Sequence, residues 1–200
     1  MLTKDEVLAP LAALRTDQVV VTTMGMVRPW GRHSTHPLDF ASADSAMGHA
    51  ADLALGIALA QPARTVVCLN GDGSMLMSLG TLAVAVEQRA RNLVLFVVRN
   101  DTYEITGNQP VPGARCVDFA LLARGAGFPS VHGFDDAADY RRRLPEVLAA
   151  AGPTFVVVRT EPGHEAPLSR GPQEAAAYLG DSLAEAAHRL RRALAALRAS

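Results

Sequence analysis

The chain has 200 residues, of which 49% are apolar and 20% are charged, which is the composition of a folded globular protein. Its formal net charge of -1 at pH 7 provides no basic field that would hold nucleic acid or an anionic membrane surface. Two cysteines, Cys68 and Cys116, are too few for a disulfide framework, and no apolar run reaches the ~20 residues of a membrane helix, so we expect one cytoplasmic domain.

Short apolar runs alternate with segments of helical periodicity along the chain. The apolar runs predict strands, which lie in chain order within residues 17–23, 65–70, 92–98, 129–134 and 154–160. Apolar residues at helical spacing predict helices, which lie in chain order within residues 47–60, 78–90, 118–125, 135–151 and 181–199. Residues 26–44 show no clean period and are predicted to be a long loop.

The strands lack polar alternation, which indicates a parallel sheet that helices cover on both faces. The predicted fold class is therefore α/β, with a doubly wound and mainly parallel sheet. In such sheets ligands bind beyond the carboxyl ends of the strands. Residues 161–171, which include two prolines, form the one linker-like segment and lead to the final helix.

Glycine and polar residues follow two successive predicted strands. The segment 70–74 (NGDGS) follows the second strand, and 100–102 (NDT) follows the third. Asp72 and Asn100 thus present a carboxylate and a carboxamide to one crevice, where they suit Mg²⁺, and the glycine-rich turn suits a phosphate group. A GDG sequence alone is more often an ordinary turn, and Leu76 stands where a dinucleotide fingerprint needs its third glycine.

These motifs resemble those of thiamine-diphosphate-dependent decarboxylases. Besides Gly71-Asp72-Gly73 and Asn100, the resemblance covers residues 45–83, the tract YEITGNQP (103–110) and GPTFVVVRTEPG (152–163). It is strongest to the pyrophosphate-binding domain of phosphonopyruvate decarboxylases and sulfopyruvate decarboxylase beta subunits. It implies a thiamine diphosphate domain over residues 1–165. Residues 166–200 are then an extension whose amphipathic helix packs on this domain or on a partner.

The resemblance also implies roles for individual residues. Mg²⁺ is expected on Asp72, the Asn100 side chain and the backbone carbonyl of Thr102, and Met47 is expected to be the apolar wedge that bends the cofactor. Further cofactor contacts are expected from Thr23, Gly25, Ser45 (by its carbonyl), Gly48, Gly71, Gly73, Ser74 and Tyr103. His49 and Glu104 are candidate catalytic residues, although a helix-start histidine and an exposed loop acid are the simpler interpretations. Three positions depart from the family pattern, namely Ser45, Arg99 and Thr102.

The resemblance leaves the active site incomplete, because the family's activating glutamate belongs to a separate pyrimidine-binding domain. We therefore expect a pyrimidine-domain (α-type) partner subunit, in an α₂β₂ complex, and decarboxylation of a small 2-oxo acid to an aldehyde. A two-component carboligase of the acetolactate or acyloin type and a non-catalytic cofactor-binding subunit are the alternatives. A 2-oxo acid:ferredoxin oxidoreductase subunit needs four cluster cysteines, which this chain lacks.

Several cationic residues have open interpretations. Arg28, Arg32, His33 and His36 lie in the predicted loop, where they are solvated residues or a cationic rim for an anionic substrate. A metal site on the two histidines has no acidic or cysteine cluster beside it. Arg99, at the position of the family's first asparagine, is either a surface replacement or a cation that lines the site.

Overall fold

The computed structural model of this chain describes residues 1–42, 47–114 and 116–196. Its strands are, in chain order, β1 (Val19–Thr23), β2 (Asp39–Ser42), β3 (Val66–Gly71), β4 (Leu93–Arg99), β5 (Thr102–Tyr103), β6 (Gln109–Pro110), β7 (Ser130–Phe134) and β8 (Thr154–Arg159). Six of them form one parallel sheet in the order β2-β1-β3-β4-β8-β7, while β5 and β6 form a small antiparallel hairpin.

Helices connect the strands of the sheet. They are α1 (Lys4–Leu14), α2 (Val27–Gly31), α3 (Ala50–Ala60), α4 (Asp72–Met77), α5 (Gly80–Glu87), α6 (Phe119–Ala126), α7 (Ala137–Ala149) and α8 (Leu183–Ala196). Asp118 and Asp136 cap α6 and α7 by accepting hydrogen bonds from backbone N–H groups of the first turn. Within the described ranges, no helix has both the length and the apolar character that crossing a bilayer demands.

Both faces of the sheet are buried, as the continuous apolar strands predict. Val20, Val67 and Phe96 point to one side, where they pack with residues of α1, α2 and α7. Their sequence neighbours on the same strands point to the other side, where they pack with residues of α3, α5, α6 and α8. Strand side chains alternate between the two faces, so a strand that contributes to two cores must be apolar throughout. The predicted doubly wound α/β fold is confirmed.

The five strands predicted from the sequence are all present, and the prediction of a long loop over 26–44 is wrong. That region contains α2 and the edge strand β2. The edge strand is only four residues long and begins with an aspartate, so it carries neither an apolar run nor a clear alternation. Two further helices, α1 and α4, have no counterpart among the predicted elements. The helix predicted within residues 135–151 is present as α7, which continues through Pro145.

The C-terminal helix packs on this same chain. Ala186, Leu190 and Leu194 of α8 are buried in the core on the α3 side of the sheet. The preceding turn is also anchored, since Tyr178 donates a hydrogen bond from its hydroxyl to the carbonyl of Val27 at 2.8 Å. The described part of the extension therefore covers the domain, and the division at residue 165 stays a prediction.

A buried ion pair joins the C-terminal end of α1 to the edge of the sheet. Asp39 is fully buried, and its Oδ1 accepts hydrogen bonds from Arg15 at 2.5 Å and from Trp30 at 2.8 Å. Its Oδ2 accepts from Ser34 and from the backbone of His36. Since each donor would lose its partner, we expect Asp39→Ala to lower the free energy of unfolding by about 3 kcal/mol. Chemical denaturation measures this loss.

A matched control for that substitution is Asp17→Ala. Asp17 also pairs with an arginine, Arg64, at 2.6 Å, but its side chain is 60% exposed. We expect a change below about 1 kcal/mol there, because water screens exposed pairs. Equal losses in the two variants would contradict the importance assigned to burial.

Candidate functional site

A pocket opens where β1, β3 and β4 end. The chain leaves β1 for the edge strand β2 in one direction and continues from β3 to β4 in the other, so the pocket lies at the point where the strand order reverses. The pocket brings together most of the residues predicted for the site, namely Thr23, Gly25, Met47, Gly48, Gly71, Asp72, Gly73, Ser74, Asn100, Thr102, Tyr103 and Glu104. Ser45 lies outside the described residues.

Asp72 begins helix α4 directly after β3 and is almost completely buried. Its Oδ1 accepts from the N–H of Gly73 at 2.9 Å, and its Oδ2 accepts from the N–H of Asp101 at 2.7 Å. Burial raises the pKa of this carboxyl, and the two backbone donors partly oppose the rise. A bound cation would oppose it further, since opposite charge favours the ionised form.

Asn100 lies directly after β4, and both ends of its side-chain amide have partners. Oδ1 accepts from the N–H of Thr102 at 3.1 Å, and Nδ2 donates to Oε2 of Glu104 at 2.9 Å. A carboxylate only accepts hydrogen bonds, so these partners determine which end of the amide is the oxygen. Asp72, Asn100 and Thr102 all line the pocket, and the oxygens of the two side chains are ligands of the kind that Mg²⁺ prefers, while the Thr102 carbonyl as a third ligand stays a prediction.

The glycine-rich turn is closed by an aromatic side chain. A Cβ added to Gly73 would lie 2.3 Å from Cε1 of Tyr103, so the ring contacts the backbone of α4 where any other residue would collide with it. On the other side, Thr23 donates from its hydroxyl to that of Ser74 at 3.3 Å. Gly73 therefore allows the Tyr103 ring to lie against the backbone, and the role of this turn as a phosphate cradle stays a prediction.

Met47 lies at the mouth of the pocket and is 64% exposed. The backbone turns sharply at the next residue, because Gly48 has φ +86°, and a Cβ there would lie 2.5 Å from Cβ of Met77. Glycine is thus required at position 48 both by its conformation and by the contact with α4. This turn directs Met47 to the opening, and its role as a wedge under a cofactor stays a prediction.

The two candidate catalytic residues have different surroundings. His49 is not among the residues that line the pocket, and its Nδ1 lies 2.5 Å from the carboxylate of Asp52 on the exposed start of α3. The structure thus favours the helix-start interpretation for His49. Glu104, in contrast, lines the pocket but is only 6% exposed, so its interpretation as an exposed loop acid is wrong. Its carboxylate lies 2.6 Å from Nζ of Lys4.

Arg99 is neither a surface replacement nor a residue that lines the pocket. Its Nε donates to Oδ1 of Asp101 at 2.7 Å, and its terminal nitrogens donate to the carbonyls of Ala114 and Val117. Asp101 has φ +62°, a left-handed conformation that needs support from its surroundings. Arg99 therefore holds the segment after Asn100 in place.

The structure does not support a cationic rim, which is one of the two interpretations left open for Arg28, Arg32, His33 and His36. None of its four residues is among those that line the pocket. Three of them pair with carboxylates of this chain: Arg28 with Glu174, Arg32 with Glu165 and His33 with Asp5. The fourth, His36, accepts a hydrogen bond from the N–H of Leu38 at 3.1 Å, and burial lowers its pKa. Each of these four residues therefore has a hydrogen-bond partner within this chain.

Among the described charged residues that line the pocket, one has no counterpart in the prediction from sequence. Lys4, the single lysine of the chain, lies at the start of α1 and lines the pocket. A sequence signal for this helix exists in Thr3-x-x-Glu6, which forms a capping box in the structure. The signal locates the helix start, but it carries no information on the residue that Lys4 contacts.

Comparison with known proteins gives consistent matches. Residues 21–158 match the family model described as thiamine pyrophosphate enzyme, C-terminal TPP binding domain. The sulfopyruvate decarboxylase subunit beta of Methanothermobacter thermautotrophicus is 33% identical over 82% of this chain and 85% of its own length. A phosphonopyruvate decarboxylase of Streptomyces viridochromogenes is 36% identical over 76% of this chain and 38% of its own length.

A solved structure agrees with these matches. A putative thiamin diphosphate-dependent enzyme from Mycobacterium smegmatis superposes with a TM-score of 0.70 at 29% identity, over 81% of this chain and 32% of that one. The chain therefore spans about a third of the length of this enzyme. It likewise covers 38% of the phosphonopyruvate decarboxylase of Streptomyces viridochromogenes and 31% of a second one, from Streptomyces hygroscopicus.

Proposed function

The chain belongs to the thiamine pyrophosphate enzymes, as a C-terminal TPP-binding domain, and on this premise we propose that it is the β-type subunit of a two-component 2-oxo acid decarboxylase. The observation that carries this proposal is the pocket in which Asp72, Asn100 and the turn at Gly73 meet at neighbouring strand ends. Support for the substrate class comes from the relatives, which are named sulfopyruvate and phosphonopyruvate decarboxylases. The proposed complex is cytoplasmic.

In this proposal Asp72, the Asn100 side chain and the Thr102 carbonyl hold Mg²⁺. The N–H groups of Gly73 and Ser74 bind the diphosphate, which requires the Gly73 N–H to give up its hydrogen bond to Oδ1 of Asp72. A buried carboxylate and a diphosphate repel each other unless a cation lies between them, so Asp72 makes cofactor binding dependent on the metal. When bound, thiamine diphosphate supplies a carbon nucleophile for the substrate carbonyl and takes up the electron pair that remains when CO₂ leaves.

The proposed partner is a pyrimidine-domain subunit, in an α₂β₂ complex. Among the described residues that line the pocket, the carboxylates are Asp72 and Glu104. The first is assigned to the metal, and the second is hydrogen-bonded to Lys4 and Asn100. Neither is free to act as the glutamate that activates the cofactor in this family. In the proposed complex, a glutamate from the partner chain supplies this missing group.

Co-expression with a short pyrimidine-domain protein tests the proposal. With thiamine diphosphate and Mg²⁺ present, we expect the complex to release CO₂ and an equimolar aldehyde from sulfopyruvate or phosphonopyruvate. Release of CO₂ with a new carbon–carbon bond and no free aldehyde, measured with pyruvate as substrate, would assign the pair to the carboligases instead. A complex that binds the cofactor but turns over none of these acids would favour a non-catalytic subunit.

The contact between Gly73 and Tyr103 leads to a prediction about cofactor affinity. In Gly73→Ala, the added methyl group occupies the position of the tyrosine ring, so the ring must move into the pocket or the start of α4 must shift. We expect the affinity for thiamine diphosphate at saturating Mg²⁺ to fall about tenfold, which corresponds to ~1.4 kcal/mol. Isothermal titration calorimetry measures this change.

Gly56→Ala provides the control for that substitution. Gly56 lies inside α3, and nothing lies within 4 Å of the position that its Cβ would occupy. We expect this variant to bind thiamine diphosphate like the unaltered chain and to be slightly more stable, because alanine favours the helix. Unchanged affinity in both variants would argue against close approach of the diphosphate at Gly73.

A further inference from the structure

A buried ion pair forms part of the pocket wall. Nζ of Lys4 lies 2.6 Å from Oε2 of Glu104, and the two side chains are only 8% and 3% exposed. Nζ also donates to the carbonyl of Gly25 at 3.1 Å, just after the end of β1. An ion pair in such surroundings persists only when further hydrogen bonds satisfy both partners. The remaining contacts of Glu104 therefore indicate what the pair does.

The carboxylate of Glu104 is held from several elements at once. Besides Lys4, its Oε2 accepts from Nδ2 of Asn100 at 2.9 Å, and its Oε1 accepts from the N–H of Glu165 at 3.2 Å. Gly163 packs against it so closely that a Cβ there would lie 2.4 Å from Oε1. The carboxylate thus has little freedom to turn, and its direct contact with the predicted metal site is the Asn100 amide.

The position of Lys4 is equally well determined. Leu2 forms a parallel bridge to the end of β8, with its N–H donating to Arg159 and its carbonyl accepting from Glu161, both at 2.9 Å. Thr3 then starts α1 with a capping box. Lys4 is therefore fixed at the carboxyl edge of the sheet by backbone hydrogen bonds on its N-terminal side.

We propose that Lys4 and Glu104 are a positioning pair that fixes the Asn100 amide with its oxygen available to Mg²⁺. An amide has nearly the same shape after a half-turn, but only its oxygen can bind a cation. Glu104 accepts hydrogen bonds and does not donate them, so it holds the NH₂ end and leaves Oδ1 for the metal. Lys4 offsets the negative charge that this arrangement buries. The inference rests on the proposed function, because it needs Mg²⁺ at Asn100.

Two variants of Glu104 separate hydrogen bonding from packing. Glu104→Leu introduces an apolar side chain of similar size, which removes the hydrogen-bond acceptor. Glu104→Gln retains an acceptor oxygen for Asn100. In the complex with a pyrimidine-domain partner, we expect the Mg²⁺ concentration for half-maximal thiamine diphosphate binding to rise at least about tenfold for Glu104→Leu. For Glu104→Gln we expect this Mg²⁺ concentration to rise no more than about threefold, because the glutamine oxygen still accepts the hydrogen bond from Asn100.

A second readout does not depend on the cofactor. The side-chain amide of Asn100 gives a pair of ¹H–¹⁵N signals in the full chain, which Asn100→Asp identifies by their loss. We expect these protons to exchange slowly with water in the unaltered chain and in Glu104→Gln, and rapidly in Glu104→Leu. Gly163→Ala is a further variant that removes no hydrogen-bonding group but pushes on Glu104, and we expect it to accelerate the exchange as well.

Arg15→Met is the matched control. Arg15 forms the other buried ion pair of α1, with Asp39, and the two side chains are 6% and 0% exposed. We expect this variant to be less stable without any change in the Mg²⁺ requirement or in the Asn100 signals. Equal effects of Arg15→Met and Glu104→Leu on both readouts, or no effect of Glu104→Leu on either, would overturn the proposal. If the unaltered complex binds no cofactor, the proposed function fails, and amide exchange still decides whether the pair positions Asn100.

Discussion

Replacement of Asp72 by alanine is expected to abolish Mg²⁺-dependent binding of thiamine diphosphate and to leave the fold intact. Asp72 is the carboxylate of the predicted metal site, and without it the cation has only uncharged oxygens from this chain. We expect a loss of affinity of more than about a hundredfold, because even partners of metal ligands contribute ten- to a hundredfold. The fold should persist because burial raises the pKa of Asp72, which means that the folded state disfavours its charge.

The measurement is calorimetric titration of thiamine diphosphate into the complex at several Mg²⁺ concentrations, with EDTA as the metal-free reference. Circular dichroism and thermal unfolding report on the fold. Asp118→Ala is the control, because Asp118 caps α6 with a side-chain hydrogen bond of 3.0 Å and does not line the pocket. We expect it to cost about 1 kcal/mol of stability and no affinity. Binding by Asp72→Ala at limiting Mg²⁺ would refute the ligand assignment.

The isolated chain is expected to decarboxylate no 2-oxo acid, even with saturating thiamine diphosphate and Mg²⁺. The carboxylates among the described pocket residues are already engaged, so the proton transfers that activate the cofactor lack a group in this chain. Loss of such a group reduces rates by about 10²- to 10⁴-fold. Addition of a pyrimidine-domain partner should restore turnover in proportion to the complex that forms.

The assay for this prediction is CO₂ release by the rigorously purified chain, with and without its partner. A complex assembled from the partner and the Asp72→Ala chain serves as control, since it can form the interface but not the metal site. Turnover by the chain alone would remove the need for a second subunit. No turnover after addition of any pyrimidine-domain partner would count against the decarboxylase function.

The sequence predicts the sheet well because its central strands are buried on both faces and are therefore apolar throughout. The same reasoning fails for the edge strand β2, where Asp39 is polar because it binds Arg15 and Trp30 from other elements. These contacts join residues that are 24 and 9 positions apart, which is beyond the spacing that strand or helix patterns cover, so no such pattern predicts them. Helix α2 is missed for a similar reason, since its five residues are too few for a period to show.

The parts of the candidate site that come from short sequence motifs can be predicted from the sequence. Glycines around Asp72 and an amide at the next strand end form a local pattern, and the pocket contains both. The burial of Glu104 depends on Lys4, which is 100 positions away, so the sequence alone suggests an exposed acid. Arg99 shows the same limit, because its partners at Ala114 and Val117 become neighbours only through the fold.

Helix α1 has a buried cation near each end. Lys4 makes its contact beyond the carboxyl ends of the strands, where the pocket opens, and Arg15 makes its contact with Asp39 at the amino end of β2. The apolar face of the helix packs on the sheet, and an ion pair fixes the helix near each of its ends. Removal of the first four residues would remove Lys4 and with it the ion pair beside the pocket. A fluorescent label or affinity tag belongs away from this end of the chain, for instance on the exposed Cys116.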